Sequence, residues 1–328
     1  MRSVGVTAVG AAVPQRILTN EQLSNMVETS EEWIVRRTGI RERRIADPGT
    51  ATSDLAVLAA GRALARGDLG PEEVDLILVA TSTPDQLMPS TACFVQHALG
   101  APQAAALDVN AACSGFTYAV AVGGQFIKAG TYDTVLVIGA DLMSRVIDWQ
   151  DRASCVLFGD GAGAVVLRAT SSPSPFHSLL GADGSGAGLL EIPAGGSRRP
   201  ADLETVQGGQ HTLRMQGREV FRFGVEVLVK SLLEALDQAG LDVNDLALVV
   251  PHQANLRIIE SAAERLQLPK ARFCVNLDHY GNTSAASIPL ALEEAHSQGR
   301  VRPGDILAFV GFGAGLTWGV NLVTWQGD

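Results

Sequence analysis

Short, nearly uninterrupted apolar runs alternate along the chain with longer stretches in which apolar residues recur every three or four positions. Ala104 to Val109 is strand-like, and Val74-Asp-Leu-Ile-Leu-Val79, Asp133-Thr-Val-Leu-Val-Ile-Gly139, Asp245-Leu-Ala-Leu-Val-Val250 and Asp305-Ile-Leu-Ala-Phe-Val-Gly311 are of strand length and largely apolar after an aspartate at or near the start. That is the pattern of strands buried on both faces. Between them, Asp54 to Arg66, Cys113 to Gly130, Val225 to Ala239 and Asn282 to Gly299 read as helices, several closed by glycine.

The pattern repeats. Asp75 and Asp245 head matching runs 170 residues apart (245 − 75), Asp133 and Asp305 head another pair at 172 (305 − 133), and the helices at Cys113 and Asn282 are offset by 169 (282 − 113). Three elements in one order at nearly one offset predict an α/β protein of two duplicated α/β/α halves, stacked in five layers about a pseudo-twofold axis. The expected halves are residues 1–172 and 173–328, joined at the turn-rich Thr170-Ser-Ser-Pro-Ser-Pro175. Residues 181–218, dense in glycine and proline, match no duplicated element and read either as a lid or binding loop or as a surface insertion. Two segments imitate membrane signals. Val4 to Pro14 is faintly leader-like but is broken by Gly5, Gly10 and Pro14, while Ile306 to Gly327, uncharged for 22 residues, reads as two strands about a glycine turn. No membrane association is expected.

Composition narrows the function. Of 328 residues, 46% are hydrophobic and 18% charged, which excludes a disordered chain or a coiled coil. With 25 basic against 35 acidic residues the formal charge is −10, so no nucleic-acid footprint is expected, and any acidic partner must meet a local cluster of arginines. The four cysteines, at 93, 113, 155 and 274, form no C-x-x-C or His/Cys ligand set. Neither zinc nor disulfides are expected, and a reducing cytoplasm is the simplest setting.

Cys113 stands apart from the other cysteines because a strand ends just before it, a helix begins at or after it, and Gly115 permits a sharp turn. This is the geometry of a nucleophile elbow, where helix N–H groups favour a thiolate. Among the six histidines, His97, His177, His211, His279 and His296 read as solvated, whereas His252 directly follows a buried run in Pro251-His-Gln-Ala-Asn255, at the strand edge where α/β sheets bind ligands. Asn282, in Tyr280-Gly-Asn-Thr-Ser284, takes by offset the place of Cys113 in the second half, although a plain helix cap accounts for it as well. Gly311-Phe-Gly-Ala-Gly315 lacks dinucleotide-loop spacing, since Leu316 stands where glycine is required, but such a turn can offer an N–H to an oxyanion.

Six motifs in order, Glu32-Trp-Ile-Val-Arg-Arg-Thr-Gly-Ile-Arg-Glu-Arg43, Ala111-Ala-Cys-Ser-Gly-Phe116, Phe158-Gly-Asp-Gly-Ala-Gly163, Pro251-His-Gln-Ala-Asn255, Tyr280-Gly-Asn-Thr-Ser284 and Phe312-Gly-Ala-Gly-Leu-Thr-Trp-Gly319, resemble the thiolase superfamily. Within it, the whole chain resembles the β-ketoacyl-acyl-carrier-protein synthase III family, the initiating condensing enzymes of bacterial fatty-acid synthesis. The resemblance implies a Cys–His–Asn triad at Cys113, His252 and Asn282, with elongating synthases carrying Cys–His–His instead. It implies an acyl-CoA primer, acetyl-CoA by default, condensed with malonyl-acyl carrier protein to give 3-oxoacyl-acyl carrier protein, CO₂ and CoA. CoA thioester is then a substrate, and no cofactor or metal is implied. The oxyanion would lie between the N–H groups of Cys113 and Ala314, an alanine where many relatives have glycine. Trp33 would stack on adenine with Arg37 and Arg152 near the nucleotide, and Asn255 would follow the pantetheine arm. Arg222, Arg257 and Arg265 would dock the acidic carrier, with Glu264 weakening that patch. In a homodimer, Met88 would reach across to line the partner's acyl pocket. Trp33 as a packing aromatic and the arginines as a solvated face remain the plain alternatives. Rival functions are a related ketosynthase of specialised polyketide metabolism, a catalytically dead partner subunit and an NAD-binding protein. Cys113 with both partners opposes the second, and the missing fingerprint opposes the third.

Overall fold

The computed structural model describes residues 2–171 and 174–328. Strands β1 (Ser3–Ala12), β2 (Leu76–Ala80), β3 (Ala105–Val109), β4 (Thr134–Leu142) and β5 (Asp160–Thr170) form one sheet in the order β1-β5-β4-β2-β3. Strands β6 (Phe176–Ala182), β7 (Leu246–Pro251), β8 (Ile306–Gly313) and β9 (Thr317–Thr324) form the second, in the order β6-β9-β8-β7. The two sheets repeat each other. β2/β4 and β7/β8 are parallel, and β4/β5, β5/β1, β8/β9 and β9/β6 are antiparallel. Where the first sheet has β3, the second keeps a single parallel bridge, Val249 to Phe273.

The longer helices are α1 (Glu31–Thr38), α2 (Thr52–Arg66), α3 (Thr91–Leu99), α4 (Gly115–Ala129), α5 (Gly217–Ala239), α6 (Leu256–Leu266) and α7 (Ser287–Ser297). α2 and α3 cover the outer face of the first sheet, α5 with α6 beside it covers the second, and α4 and α7 lie between, touching both. Sandwiching requires β4 to be apolar throughout, and all nine of its residues are buried. The expected five layers are present.

Several expectations need refinement. β4 to β8 and α4 to α7 are both displaced by 172 residues (306 − 134 and 287 − 115). That register pairs Cys113 with Ala285 and Asn282 with Asn110, not Cys113 with Asn282. The expected boundary at 172/173 lies outside the described residues. The leader-like start is buried strand β1, and the uncharged stretch from Ile306 is the β8–β9 hairpin. Among the described residues, no helix is long and apolar enough to cross a membrane. Residues 181–218 carry structure: the end of β6, a 3₁₀ segment at Gly184–Leu189, a two-residue pairing of Leu190–Glu191 with Arg214–Met215, and a short helix at Leu203–Gln207. β3, the strand-like run before Cys113, is a half-exposed edge.

Candidate active site

A cavity of about 370 Å³, where the chain leaves β3, β7 and β8, is lined by Cys113, His252 and Asn282 together, with Asn255 and Ala314. The three side chains reach it by different routes. Cys113 lies in a 3₁₀ turn, Ala112–Ser114, between β3 and α4. His252 follows β7 directly, its N–H bonded to the Val310 carbonyl at 2.8 Å. Asn282 is held between backbone groups of the Phe158-Gly-Asp-Gly motif: its N–H donates to Leu157 O (2.8 Å) and its O accepts from Gly159 N–H (3.0 Å). A Cβ at Gly159 would stand 2.3 Å from the Tyr280 carbonyl, so this clasp requires glycine.

The two elbows are copies. Asn110 Oδ1 accepts from Ala112 N–H at 3.3 Å, and Asn282 Oδ1 accepts from Ser284 N–H at 2.9 Å. Ala112 and Ser284 both take left-handed backbone, with φ of 47° and 51°. A non-glycine residue there costs about 1 kcal/mol, which the surrounding packing must overcome.

All three candidate groups are buried, with Cys113 7%, His252 2% and Asn282 6% exposed. Burial pushes the Cys113 thiol up to about 12; a hydrogen bond from Ser284 offsets part of this, and nearby Asp141 adds to the rise. The expected thiolate at a helix N-terminus is therefore corrected: desolvation outweighs the aligned N–H groups. Burial also lowers His252 to about 3, so its imidazole is neutral. Ser287 Oγ lies 2.7 Å from His252 Nδ1, and Phe312 packs edge-on against the ring at 5.2 Å between centroids.

The glycine turn closes on the nucleophile. A Cβ at Gly313 would fall 2.9 Å from Cys113 N, so the chain next to Ala314 lies directly on the elbow. Thr317 Oγ1 lies 3.1 Å from the carbonyl of Ala111 and 2.7 Å from that of Ala314, fastening turn to elbow.

The remaining candidates separate into two groups. Trp33, Arg37 and Arg152 come together, the guanidinium carbons 5.9 and 4.9 Å from the indole centroid. Asn255 joins this cluster to the cavity, donating from Nδ2 to Arg37 O at 3.0 Å while it caps α6. Trp33 also packs against the core, as the packing alternative expects. Arg257 lies 5.3 Å over Phe221, a cavity-lining ring, and on α6 with exposed Arg265; Arg222 is exposed and 4.0 Å from Glu226. Met88 is 83% exposed and does not line the cavity of its own chain. Leu190, Ile192, Leu213 and Met215 from the 181–218 segment do line it. His279 corrects the expectation of a solvated residue: it is half-buried, 3.0 Å from Asp278 and 3.2 Å from Glu294, while His296 packs on Trp325.

Ser287, Ser284, Phe312 and Asp141 went unnoticed as functional candidates in the sequence. Only Asp141 leaves a local signal, a carboxylate ending the apolar run of β4.

The chain matches two family models, 3-oxoacyl-[acyl-carrier-protein] synthase III over residues 107–191 and its C-terminal counterpart over 236–325. It is 54% identical over 326 residues to the β-ketoacyl-[acyl-carrier-protein] synthase III of Symbiobacterium thermophilum, covering 99% of each chain. It is 52% identical over 325 residues to that of Caldanaerobacter subterraneus, covering 99% of this chain and 98% of that one. Among solved structures it resembles 3-oxoacyl-[acyl-carrier-protein] synthase III of Aquifex aeolicus, with TM-score 0.91 and 45% identity over 98% of this chain and 100% of that one. It also resembles the priming β-ketosynthase of the R1128 polyketide pathway, with TM-score 0.92 and 37% identity over 99% and 97%. This thiolase-like condensing enzyme belongs to the β-ketoacyl-[acyl-carrier-protein] synthase III family.

Proposed function

We propose that the protein condenses an acyl-CoA primer, acetyl-CoA by default, with malonyl-acyl carrier protein, giving 3-oxoacyl-acyl carrier protein, CO₂ and CoA. The observation that carries this reading is the convergence of Cys113, His252 and Asn282 on one largely apolar cavity in a chain of this family. Cys113 and His252 start neutral. His252 takes the thiol proton as sulfur attacks the primer thioester, and CoA leaves as its thiol. The Ser287 hydroxyl on Nδ1 can accept or donate, so it serves either tautomer of the imidazole. With Nδ1 accepting, Nε2–H joins the Asn282 amide as donor to the malonyl thioester oxygen while CO₂ departs. The resulting enolate carbon attacks the acyl-cysteine, the N–H groups of Cys113 and Ala314 receive the oxyanion, and its collapse breaks the C–S bond, releasing 3-oxoacyl-acyl carrier protein and the Cys113 thiolate, which takes a proton from solvent. Trp33, Arg37 and Arg152 take the nucleotide of CoA, and Asn255 the pantetheine arm. Arg222, Arg257 and Arg265 receive the acidic carrier. Every step uses side chains and N–H groups of this chain, and the reaction needs no cofactor.

A homodimer is part of the proposal. β3 leaves an open sheet edge, and Leu87, Met88, Phe94 and Leu107 are exposed hydrophobics. Met88 would then line the partner's acyl pocket. Four unpaired cysteines suit a reducing cytoplasm. The likeness to a polyketide priming ketosynthase supports a second reading with the same triad and a different starter or acceptor.

Purified protein with acetyl-CoA and malonyl-acyl carrier protein is expected to show an acetyl adduct on the Cys113 peptide and release CO₂. Cys113→Ala loses the adduct and the condensed product while folding normally. Absence of both adduct and CO₂ in the wild type refutes the reading. Efficient turnover only with other starters or acceptors favours the polyketide alternative.

A further inference from the structure

The duplicated elbows differ in one respect. Cys113 and Ala285 are equivalent positions, and so are Gly313 at the end of β8 and Asp141 near the end of β4 (both pairs 172 residues apart, 285 − 113 and 313 − 141). Each central strand abuts the elbow of the opposite half. A Cβ at Gly139 would meet the Ala285 carbonyl at 2.2 Å, and one at Gly313 would meet Cys113 N at 2.9 Å. Beneath Cys113 the strand offers no side chain, and the elbow N–H keeps no carboxylate partner there. Beneath Ala285 it offers a carboxylate: Ala285 N–H donates to Asp141 Oδ2 at 3.1 Å.

The other oxygen of Asp141 accepts from Thr81 Oγ1 (3.1 Å), Ser82 N (2.7 Å), Thr83 N (3.1 Å) and Thr83 Oγ1 (2.9 Å). A fully buried carboxylate is tolerated only with such dense donation, and losing it leaves the donors unpaired. This anchored group therefore fixes the backbone of the left-handed Ser284 turn, whose N–H holds Asn282 Oδ1.

We propose that Asp141 is a positioning residue for the condensation half-reaction: from the first half of the fold it clamps the Asn282–Ala285 elbow and so aims the Asn282 carboxamide into the cavity. The inference rests on the function proposed above. The two chemical steps should respond unequally, because Asp141 binds no backbone group of the Cys113 elbow and meets its thiol only by way of the Ser284 hydroxyl, whereas its bond to Ala285 N–H holds the turn that carries Asn282, which decarboxylation uses. Removing the negative charge also does not oppose thiolate formation, since Asp141 raises the Cys113 thiol.

The test compares wild type, Asp141→Asn and Asp141→Ala in two assays: acetyl transfer from acetyl-CoA to Cys113 by intact mass, and CO₂ release from malonyl-acyl carrier protein. Asn places an amide donor or loses one acceptor oxygen at the clamp, and both variants are expected to load within about threefold of wild type yet lose about 30-fold or more in CO₂ release, the scale of a misplaced oxyanion donor. In an Asn282→Ala background, Asp141→Asn should cost no more than about threefold further, as coupled groups require. Equal losses in both assays, or fully additive losses, would overturn the proposal. If the Asp141 variants do not fold, Thr81→Val, which removes one donor to the far oxygen, should give the same split at smaller size, and an even loss there would overturn it too. Failure of the wild type in both assays would instead refute the proposed function.

Discussion

Raising the pH should speed alkylation of Cys113 through the whole neutral range, with no plateau. The buried thiol ionises near 12, and the imidazole beside it, near 3, holds no proton with which to form a resting ion pair. At pH 7.5 an ordinary thiol of pKa about 8.5 is about one-tenth thiolate, whereas one at 12 is about one part in 30,000. The more basic thiolate is more nucleophilic, and a Brønsted slope near 0.45 over about 3.5 units returns about 1.5 of the 3.5 decades lost. Cys113 is thus expected to react with iodoacetamide about 100-fold more slowly than a model-peptide thiol at pH 7.5, before any loss from limited access. Its rate should rise about tenfold per pH unit from 6 to 9, as for any thiol titrating well above that range. Peptide mass spectrometry reads the site directly, and exposed Cys93 reports on reagent delivery in the same sample. A Cys113 rate that is flat between pH 6 and 8 would refute the reasoning, because it would require a thiolate already formed at rest.

Trp33→Ala should raise KM for acyl-CoA about tenfold with kcat nearly unchanged, since base stacking on an aromatic contributes about 1–3 kcal/mol. A fall in kcat at constant KM, in steady-state kinetics with acyl-CoA varied, would return Trp33 to a packing role. His279, raised to about 9 first by its hydrogen bond to Asp278 and then by that to Glu294, binds a proton more tightly folded than unfolded. Its contribution is full below about pH 6.5 and is lost as pH rises through about 9. Thermal unfolding between pH 6 and 10 should therefore show a decline in wild type that His279→Gln flattens; parallel curves for the two would refute the assignment.

The architecture was legible because duplication doubled every signal. A single apolar run is ambiguous between strand and helix, but Thr134–Asp141 and Ile306–Gly313 at one offset support each other, as do the glycine-closed helices that follow the two elbows. The same arithmetic misled at finer grain. An offset of 169 aligned Asn282 with Cys113, while the folded register of 172 aligns it with Asn110, because the elbow loops before the helices blur the comparison by three residues. The two-residue pairing and short helix within 181–218 carry no periodicity long enough to read, and the resting protonation of Cys113 depends on burial, which no local sequence pattern encodes.

What stayed hidden shares one physical cause: it acts between segments that are distant along the chain and meet only in the fold. Ser287 meets His252 from 35 positions away, and Asp141 meets Ala285 from 144. Neither pair has a spacing rule, because the first is set by how a strand and a helix of the second half pack and the second by how the two halves meet. A trace of Asp141 was nevertheless present. A strand buried on both faces has no solvent to receive a carboxylate, so an aspartate within Thr134–Leu142 must find hydrogen-bond donors on neighbouring chain segments. Asp141 finds them in two turns, at Thr81–Thr83 of its own half and at Ala285 beside Asn282 in the other. A buried acid in an apolar run thus signals that its charge must be satisfied, while which turns supply the donors is decided only when the two halves come together.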